Sequence, residues 1–207
     1  MAVYLVADIR IINQQRYEAY RAAMRGAIQA NGGRYLVRTS DVRVLEGSWA
    51  PPRIVVIEFP DMASGQAFRQ SPGYTAAREI AANAAMVDMV LVEGVDPAPT
   101  PLRSLTAAAY LISDIRIINP ERYEEYRRDA AKDMMLQGGR YLVRDGRIEV
   151  VEGVWQPAHL SMVEYPSRAA VEERLASEAY MRSRDMRANA AMVDRVLVEG
   201  WPPSAGW

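Results

Sequence analysis

"NGGRYLVR" occupies Asn31 to Arg38 and "QGGRYLVR" occupies Gln137 to Arg144. One chain thus spells GGRYLVR twice, and the recurrence decides the fold. Working outward, a displacement of about 106 residues aligns Tyr4–Gly94 with Tyr110–Gly200 without a gap, and nearly half of the positions are identical. The chain is a tandem duplication. Its units are expected at 1–95 and 109–200, with a Pro-rich linker at 96–108 and a tail, "WPPSAGW", at 201–207.

Within a copy the hydrophobic period alternates. "VYLVADIRI" reads as a strand, and the stretch after it sets Tyr17, Tyr20, Met24 and Ile28 at helical spacing on one face. The second copy repeats this with Tyr123, Tyr126, Ala130 and Met134. Gly32 and Gly33 end the helix, because a residue without Cβ enters the left-handed conformation cheaply. "RYLVR" begins a second strand, and "VRVLEG" continues or pairs with it across a polar turn. "RIVVIEFP" is the next strand, a helical stretch broken at "SPGY" follows, and "MVDMVLVEG" is the last strand. Ser71, and Ser177 in the second copy, are read as caps of the new helical turn.

This order is the split βαβ, ferredoxin-like plan, α+β, with both helices on one face of an antiparallel sheet. "RIVVIEFP" is apolar on both alternations, as a strand buried on two sides must be. A unit of roughly 90 residues cannot cover both faces of its sheet alone. The expectation is two βαββαβ repeats packed sheet to sheet, an intramolecular dimeric α/β barrel.

Composition narrows the function classes. The 207 residues are 50% hydrophobic and 25% charged, and the 25 basic and 26 acidic residues are interspersed, so neither nucleic acid nor an anionic membrane is an expected partner. There is no cysteine and one histidine, which excludes thiolate chemistry and a multi-histidine metal centre. No metal is expected. The N-terminal apolar run is too short for a signal segment, and no stretch approaches a membrane span, so a cytoplasmic location is the default. "NGGRYL" ends a helix and precedes a strand, the reverse of the order in a phosphate-binding loop.

The run GGRYLVR, then "EG-x-W-x-P", "EFP" or "EYP", "S-x-x-Y", a following Arg and a terminal "LVEG", resembles the bacterial family called domain of unknown function thirteen-thirty. The resemblance covers nearly all of both copies. It implies membership of the dimeric α/β-barrel superfamily, which includes cofactor-free monooxygenases, isomerases, polyketide cyclases and haem enzymes. Single-domain members would dimerise; this chain resembles two of them fused, and further association of the fused chains remains open.

Several residues are candidates for chemistry. Tyr17, Tyr20, Tyr123 and Tyr126 would line a cavity between helix and sheet, or fill the core there. Arg34, Leu36 and Arg38 share a strand face by the two-residue period, as do Arg140 and Arg144 in the second copy. These arginines would fork a substrate carboxylate, or pair with Glu58 and Glu164. Tyr74 with Arg78, and Tyr180 with Arg184, lie one helical turn apart. Trp49 and Trp155 are further substrate-binding candidates. Asn83, Asp88, Asn189 and Asp194 are weak sources of polarity. His159 stands where the first copy has Arg53, and Ser161 stands where it has Val55, a local gain of polarity that singles out the second copy.

Two functions follow. One is a cofactor-independent enzyme, an isomerase or cyclase moving a proton on a small carbonyl or polyketide-like acid, with His159 or Glu164 as proton carrier, Tyr17 or Tyr123 assisting, and oxygen-dependent monooxygenation as a variant. The other is a non-catalytic ligand-binding or structural protein. No cofactor is expected, haem through His159 being the alternative. The two tryptophans of the tail favour partial order there.

Overall fold

The computed structural model describes residues 1–99 and 108–202. Positions 100–107 of the linker and 203–207 of the tail lie outside the described residues. Element order is β1 (Val3–Ile11), α1 (Gln14–Ala30), β2 (Arg34–Thr39), β3 (Val42–Glu46), β4 (Ile54–Phe59), α2 (Met62–Gln70), α3 (Pro72–Ala81) and β5 (Ala85–Glu93). The second repeat follows as β6 (Ala109–Ile117), α4 (Pro120–Leu136), β7 (Arg140–Arg144), β8 (Ile148–Glu152), β9 (His159–Tyr165), α5 (Arg168–Ala176), α6 (Glu178–Arg187) and β10 (Ala191–Glu199).

Local chemistry sets the boundaries. Asn13 and Asn119 cap α1 and α4 by accepting from the backbone N–H groups of Arg16 and Arg122. Ser71 and Ser177 cap α3 and α6, accepting from the N–H groups of Tyr74 and Tyr180 at 3.1 Å. Gly32 turns the chain at φ +71°. At Gly33 a Cβ would stand 2.7 Å from both the Ile28 and Phe59 side chains, so the helix meets the sheet there too closely for any other residue.

The two repeats form two five-stranded antiparallel sheets, ordered β2-β4-β1-β5-β8 and β3-β10-β6-β9-β7. The short strand β3 does not pair with β2. It joins the second sheet beside β10, while β8 joins the first beside β5. Each repeat therefore lends one strand to the other. Ion pairs hold the lent strands in place: Glu46 on β3 accepts from Arg187 on α6 at 2.6 Å, and Glu152 on β8 pairs with Arg78 and accepts from the Tyr74 hydroxyl at 3.1 Å.

A second departure from the two-residue period lies in β2. Its register against β4 slips between Tyr35 and Val37, and β7 slips likewise between Tyr141 and Val143. The extra residue is a β-bulge, and it reverses which side the following residues face. Arg34 thus lies on the face turned to the other sheet and Arg38 on the helix face. The arginines flanking "YLV" form no fork.

Between the sheets Val6, Ile54, Val56, Val90, Ile112, Leu160, Met162 and Val196 form a shared core. Each fully buried aliphatic side chain there contributes about 1.5–3 kcal/mol. The outer faces carry the helices, and the first repeat packs Leu5, Ile28, Ile57, Phe59, Phe68 and Leu91 beneath α1–α3. The fold is α+β, two ferredoxin-like repeats closed on each other as a dimeric α/β barrel within one chain.

Candidate functional site

Polar side chains collect in three kinds of place: the barrel interior at either end, and a cleft between helices and sheet in each repeat.

At one end of the interior, Arg34 pairs with Glu58, which accepts from the Tyr4 hydroxyl at 3.3 Å. Arg140 pairs with Glu164, which accepts from the Tyr110 hydroxyl at 2.8 Å. Burial, with the neighbouring carboxylate adding, pushes both phenols far up, so they remain neutral donors. Glu164 faces this interior while His159 and Ser161, at odd positions of β9, face the helices. The structure therefore removes Glu164, Arg34 and Arg140 from any site that includes His159.

At the other end Trp49 and Trp155 stack, and their indole N–H groups donate to Asp8 and Asp114. The backbone N–H groups of Trp49 and Trp155 donate to Asp194 and Asp88 of the opposite repeat. These aspartates hold the two loops, and the tryptophans plug the barrel rather than line a cleft. Asn83 and Asn189 take a left-handed conformation at φ 63° and turn the chain into β5 and β10.

The clefts differ sharply in chemistry. That of the first repeat is walled by Tyr17, Tyr20 and Tyr35 over an apolar floor of Leu5, Ala7, Ile57 and Met89, with Arg38 at its edge. In the second repeat Tyr123, Tyr126, Tyr141 and Arg144 hold the corresponding positions, and Ser113, Ser161 and Arg195 join Leu111 and Val163 in the floor. The second cleft is the roomier of the two.

Arg195 stands where the first repeat has Met89. It is only 8% exposed; its Nε donates to the Ser113 hydroxyl at 2.9 Å and its Nη1 to the Tyr180 hydroxyl at 3.2 Å. Among the described residues no carboxylate lies within ion-pair distance of it. Burial disfavours its charge, but the hydroxyls of Tyr126 and Tyr180, with Glu46 behind them, outweigh burial and keep it a cation.

Behind it the aromatic trio Phe59, Phe68 and Tyr74 of the first repeat, with neighbouring rings 5.2 Å apart, becomes Tyr165, Arg174 and Tyr180. The Tyr165 hydroxyl is buried without a hydrogen-bond partner among the described residues, and burial pushes it up to about 12. Arg174 reaches Asp133 at 3.6 Å and lies over the Tyr180 ring. The exchange of partners extends outward. Arg187, in place of Ala81, takes over Glu46 and frees Tyr180 for Arg195, while Arg184 is exposed and outside the cleft.

At the rim His159 is half-exposed, with Nδ1 3.4 Å from Asp145, which also pairs with Arg127. Asp145 takes a left-handed conformation, φ 57°, in place of Thr39. Tyr17 and Tyr20 of the first repeat lie in the other cleft and cannot serve this one.

Arg195, Ser113, Tyr165, Arg174 and Asp145 are not singled out by the motifs. The signal that marks Ser161, a polar residue in one copy where the other has an apolar one, marks Arg195, Ser113 and Arg174 equally. It needs the fold to show that these positions converge.

The model of the family described as Domain of unknown function (DUF1330) matches residues 2–95 and again 108–201. The chain belongs to this family, twice over. No curated protein sequence matches it. Among solved structures this two-domain DUF1330 chain is similar to a putative monooxygenase from Lactobacillus acidophilus NCFM, at 12% identity over 97% of this chain and 98% of that one, TM-score 0.51. An anthrone oxidase-like protein matches at 10% identity over 100% and 97%, TM-score 0.51. A mutant chlorite dismutase from Candidatus Nitrospira defluvii, in complex with cyanide, matches at 10% identity over 97% and 91%, TM-score 0.52. At these identities the likeness establishes the fold.

The one histidine of the chain lies at the edge of the second-repeat cleft. His159 stands at the rim with its Nδ1 against Asp145, and the space behind it is lined by Ser113, Ser161 and Arg195 together with Leu111, Ile115, Met134 and Val163. Among the described residues no group of three or more His, Asp or Glu side chains is placed to hold a metal ion, and no helix is long and apolar enough to cross a membrane.

Proposed function

We propose that the second-repeat cleft is a cofactor-independent active site, an isomerase or cyclase site, that binds a small, partly apolar carbonyl compound bearing negative charge and moves a proton on it. One observation carries this reading: the Arg195 guanidinium is buried in the cleft floor with hydroxyl partners and, among the described residues, no paired carboxylate. A buried charge without a counter-ion is costly, and an anion entering the cleft offsets that cost. A non-catalytic, structural protein would pair its charges, as Arg34 and Arg140 do with Glu58 and Glu164.

In this mechanism Asp145 holds Nδ1 of His159, leaving Nε2 to accept the proton from the carbon beside the carbonyl. The enolate oxygen that forms is held by Arg195, with the hydroxyls of Ser113 and Ser161 on the same floor. The imidazolium then returns the proton at a second position, or the enolate carbon attacks a second carbonyl of the same substrate, whose π bond opens to an alkoxide that takes the proton from the imidazolium. Tyr123 and Tyr126 wall the apolar part of the substrate, and the Tyr165 hydroxyl is an additional donor with its bond unmade.

The same enolate is the species that molecular oxygen oxidises in a cofactor-free monooxygenase, and the likeness to a putative monooxygenase and an anthrone oxidase-like protein favours keeping this as the second reading. A panel of 2-oxo and 3-oxo carboxylates incubated in D2O and followed by proton NMR tests the first. The chain accelerates loss of the exchangeable C–H signal of at least one of them, and Arg195→Met abolishes the effect. Oxygen uptake in step with substrate loss would transfer the assignment to the second reading. Neither exchange nor uptake across the panel would sink both.

A further inference from the structure

The first-repeat cleft carries a different set of groups from the second. Arg53 and Thr39 stand where the second repeat has His159 and Asp145, and its floor is Leu5, Ala7, Ile57 and Met89. It is nevertheless a cleft, walled by Tyr17, Tyr20 and Tyr35.

Cations and rings gather at that mouth. The Arg38 guanidinium lies 5.4 Å from the Tyr35 ring centroid and 4.9 Å from that of Trp201. The Arg53 guanidinium lies 5.8 Å from the Tyr17 ring, and its Nε is buried without a hydrogen-bond partner. Among the described residues no carboxylate pairs with Arg38 or Arg53, and the nearby cation Arg21 is engaged by Glu18 at 2.6 Å. Burial lowers the tendency of Arg38 to hold its charge, and the neighbouring Arg21 and Arg53 lower it further, a crowding that an anion relieves.

Trp201 reaches this mouth from the far end of the second repeat. Its backbone N–H donates to the Leu36 carbonyl at 2.7 Å, and its ring centroid lies 6.4 Å from that of Tyr35. The equivalent position beside the second cleft is Val95, whose N–H donates to the Leu142 carbonyl at 2.9 Å. Among the described residues a tryptophan thus joins the wall of one cleft and a valine takes its place at the other.

We propose that the first-repeat cleft is a second, non-catalytic site for a small aromatic carboxylate, with its ring seated among Tyr17, Tyr35 and Trp201 and its carboxylate on Arg38 and Arg53. Rings favour tilted or offset neighbours, and guanidinium groups already lying over rings present their N–H edges to an anion. This site stands independently of the reaction assigned to the second repeat.

Calorimetric titration with benzoate tests it, using benzamide as the uncharged control. With the second repeat silenced by Arg195→Met, one benzoate site remains, benzamide binds at least tenfold more weakly, and Arg38→Gln weakens benzoate at least tenfold. Arg53→Gln provides the same reading if Arg38→Gln fails to fold, and Trp201→Phe removes part of the fluorescence change on binding. The proposal is overturned if benzoate does not bind at millimolar concentration, if benzamide binds equally well, if Arg195→Met alone abolishes binding, or if Arg38→Gln and Arg53→Gln both leave affinity within twofold.

Discussion

The Trp49 and Trp155 rings, one from each repeat, stack with centroids 5.1 Å apart and planes inclined by 22°. Their indole N–H groups donate to Asp8 at 3.1 Å and Asp114 at 2.8 Å, each of which lies directly across a strand pair from a second aspartate, Asp88 or Asp194. The stack seals one end of the barrel over four carboxylates.

This seal makes stability depend on pH. Burial raises Asp8 and Asp114 above the ordinary aspartate value, the opposed aspartates add to the rise, and the indole N–H groups partly counter it. A raised folded value means that ionisation disfavours the fold: the penalty is absent below the unfolded value near 4 and grows as pH rises through the folded value. Asp8→Asn retains an acceptor for Trp49 and removes the charge. Melting curves between pH 4 and 7 are expected to show a variant raised by roughly 2 °C at pH 7 and flatter across the acidic range. A variant less stable than the parent at pH 7 would contradict this origin.

Arg195→Met restores the first repeat's residue in the second cleft. Replacing a buried guanidinium whose hydrogen bonds run only to hydroxyls by an apolar side chain of similar length is expected to leave stability close to that of the parent. Melting temperature should hold while ligand binding in that cleft is lost. A large fall in stability would show that the arginine serves the fold.

Gly33→Ala and Gly139→Ala test the helix–sheet contact. A Cβ at Gly33 meets Ile28 and Phe59 at 2.7 Å, and one at Gly139 meets the Met134 sulfur at 2.6 Å and Tyr165 at 2.7 Å. Overpacking of this kind costs about 1–3 kcal/mol. Denaturant titration should show a greater loss at Gly33, where two rigid side chains close in, than at Gly139, where the flexible methionine gives way.

A chain of residues 1–95 alone keeps β3 but lacks β10, the strand it pairs with. It should therefore assemble as a homodimer, β3 of each copy pairing with β5 of the other, and light scattering should report twice the monomer mass. A stable folded monomer would mean that β3 can turn back onto its own sheet.

Much of this was legible in the sequence because it is local or repeated. The GGRYLVR recurrence revealed the duplication, the doubly apolar "RIVVIEFP" revealed a strand buried on both sides, and "SPGY" revealed the helix break. The destination of β3 was hidden: "VRVLEG" has the same pattern whether it forms a hairpin or crosses over, and only packing against the other repeat decides. The β2 bulge was hidden as well, since one inserted residue leaves "RYLVR" unchanged as a string while turning Arg38 away from Arg34. His159 and Ser161 were visible as differences between the copies, but Arg195, more than thirty positions further along β10, joins them through sheet register alone.

The crossed strands also set a timetable. β3 leaves the ribosome early, yet the strand it must pair with, β10, is made roughly 150 residues later, on the order of ten seconds or more at ordinary rates of synthesis. Through that interval the nascent first half carries an unpaired edge that invites pairing with a neighbouring copy on the same message. Fusing the halves ensures that the intended partner is always the next one to arrive.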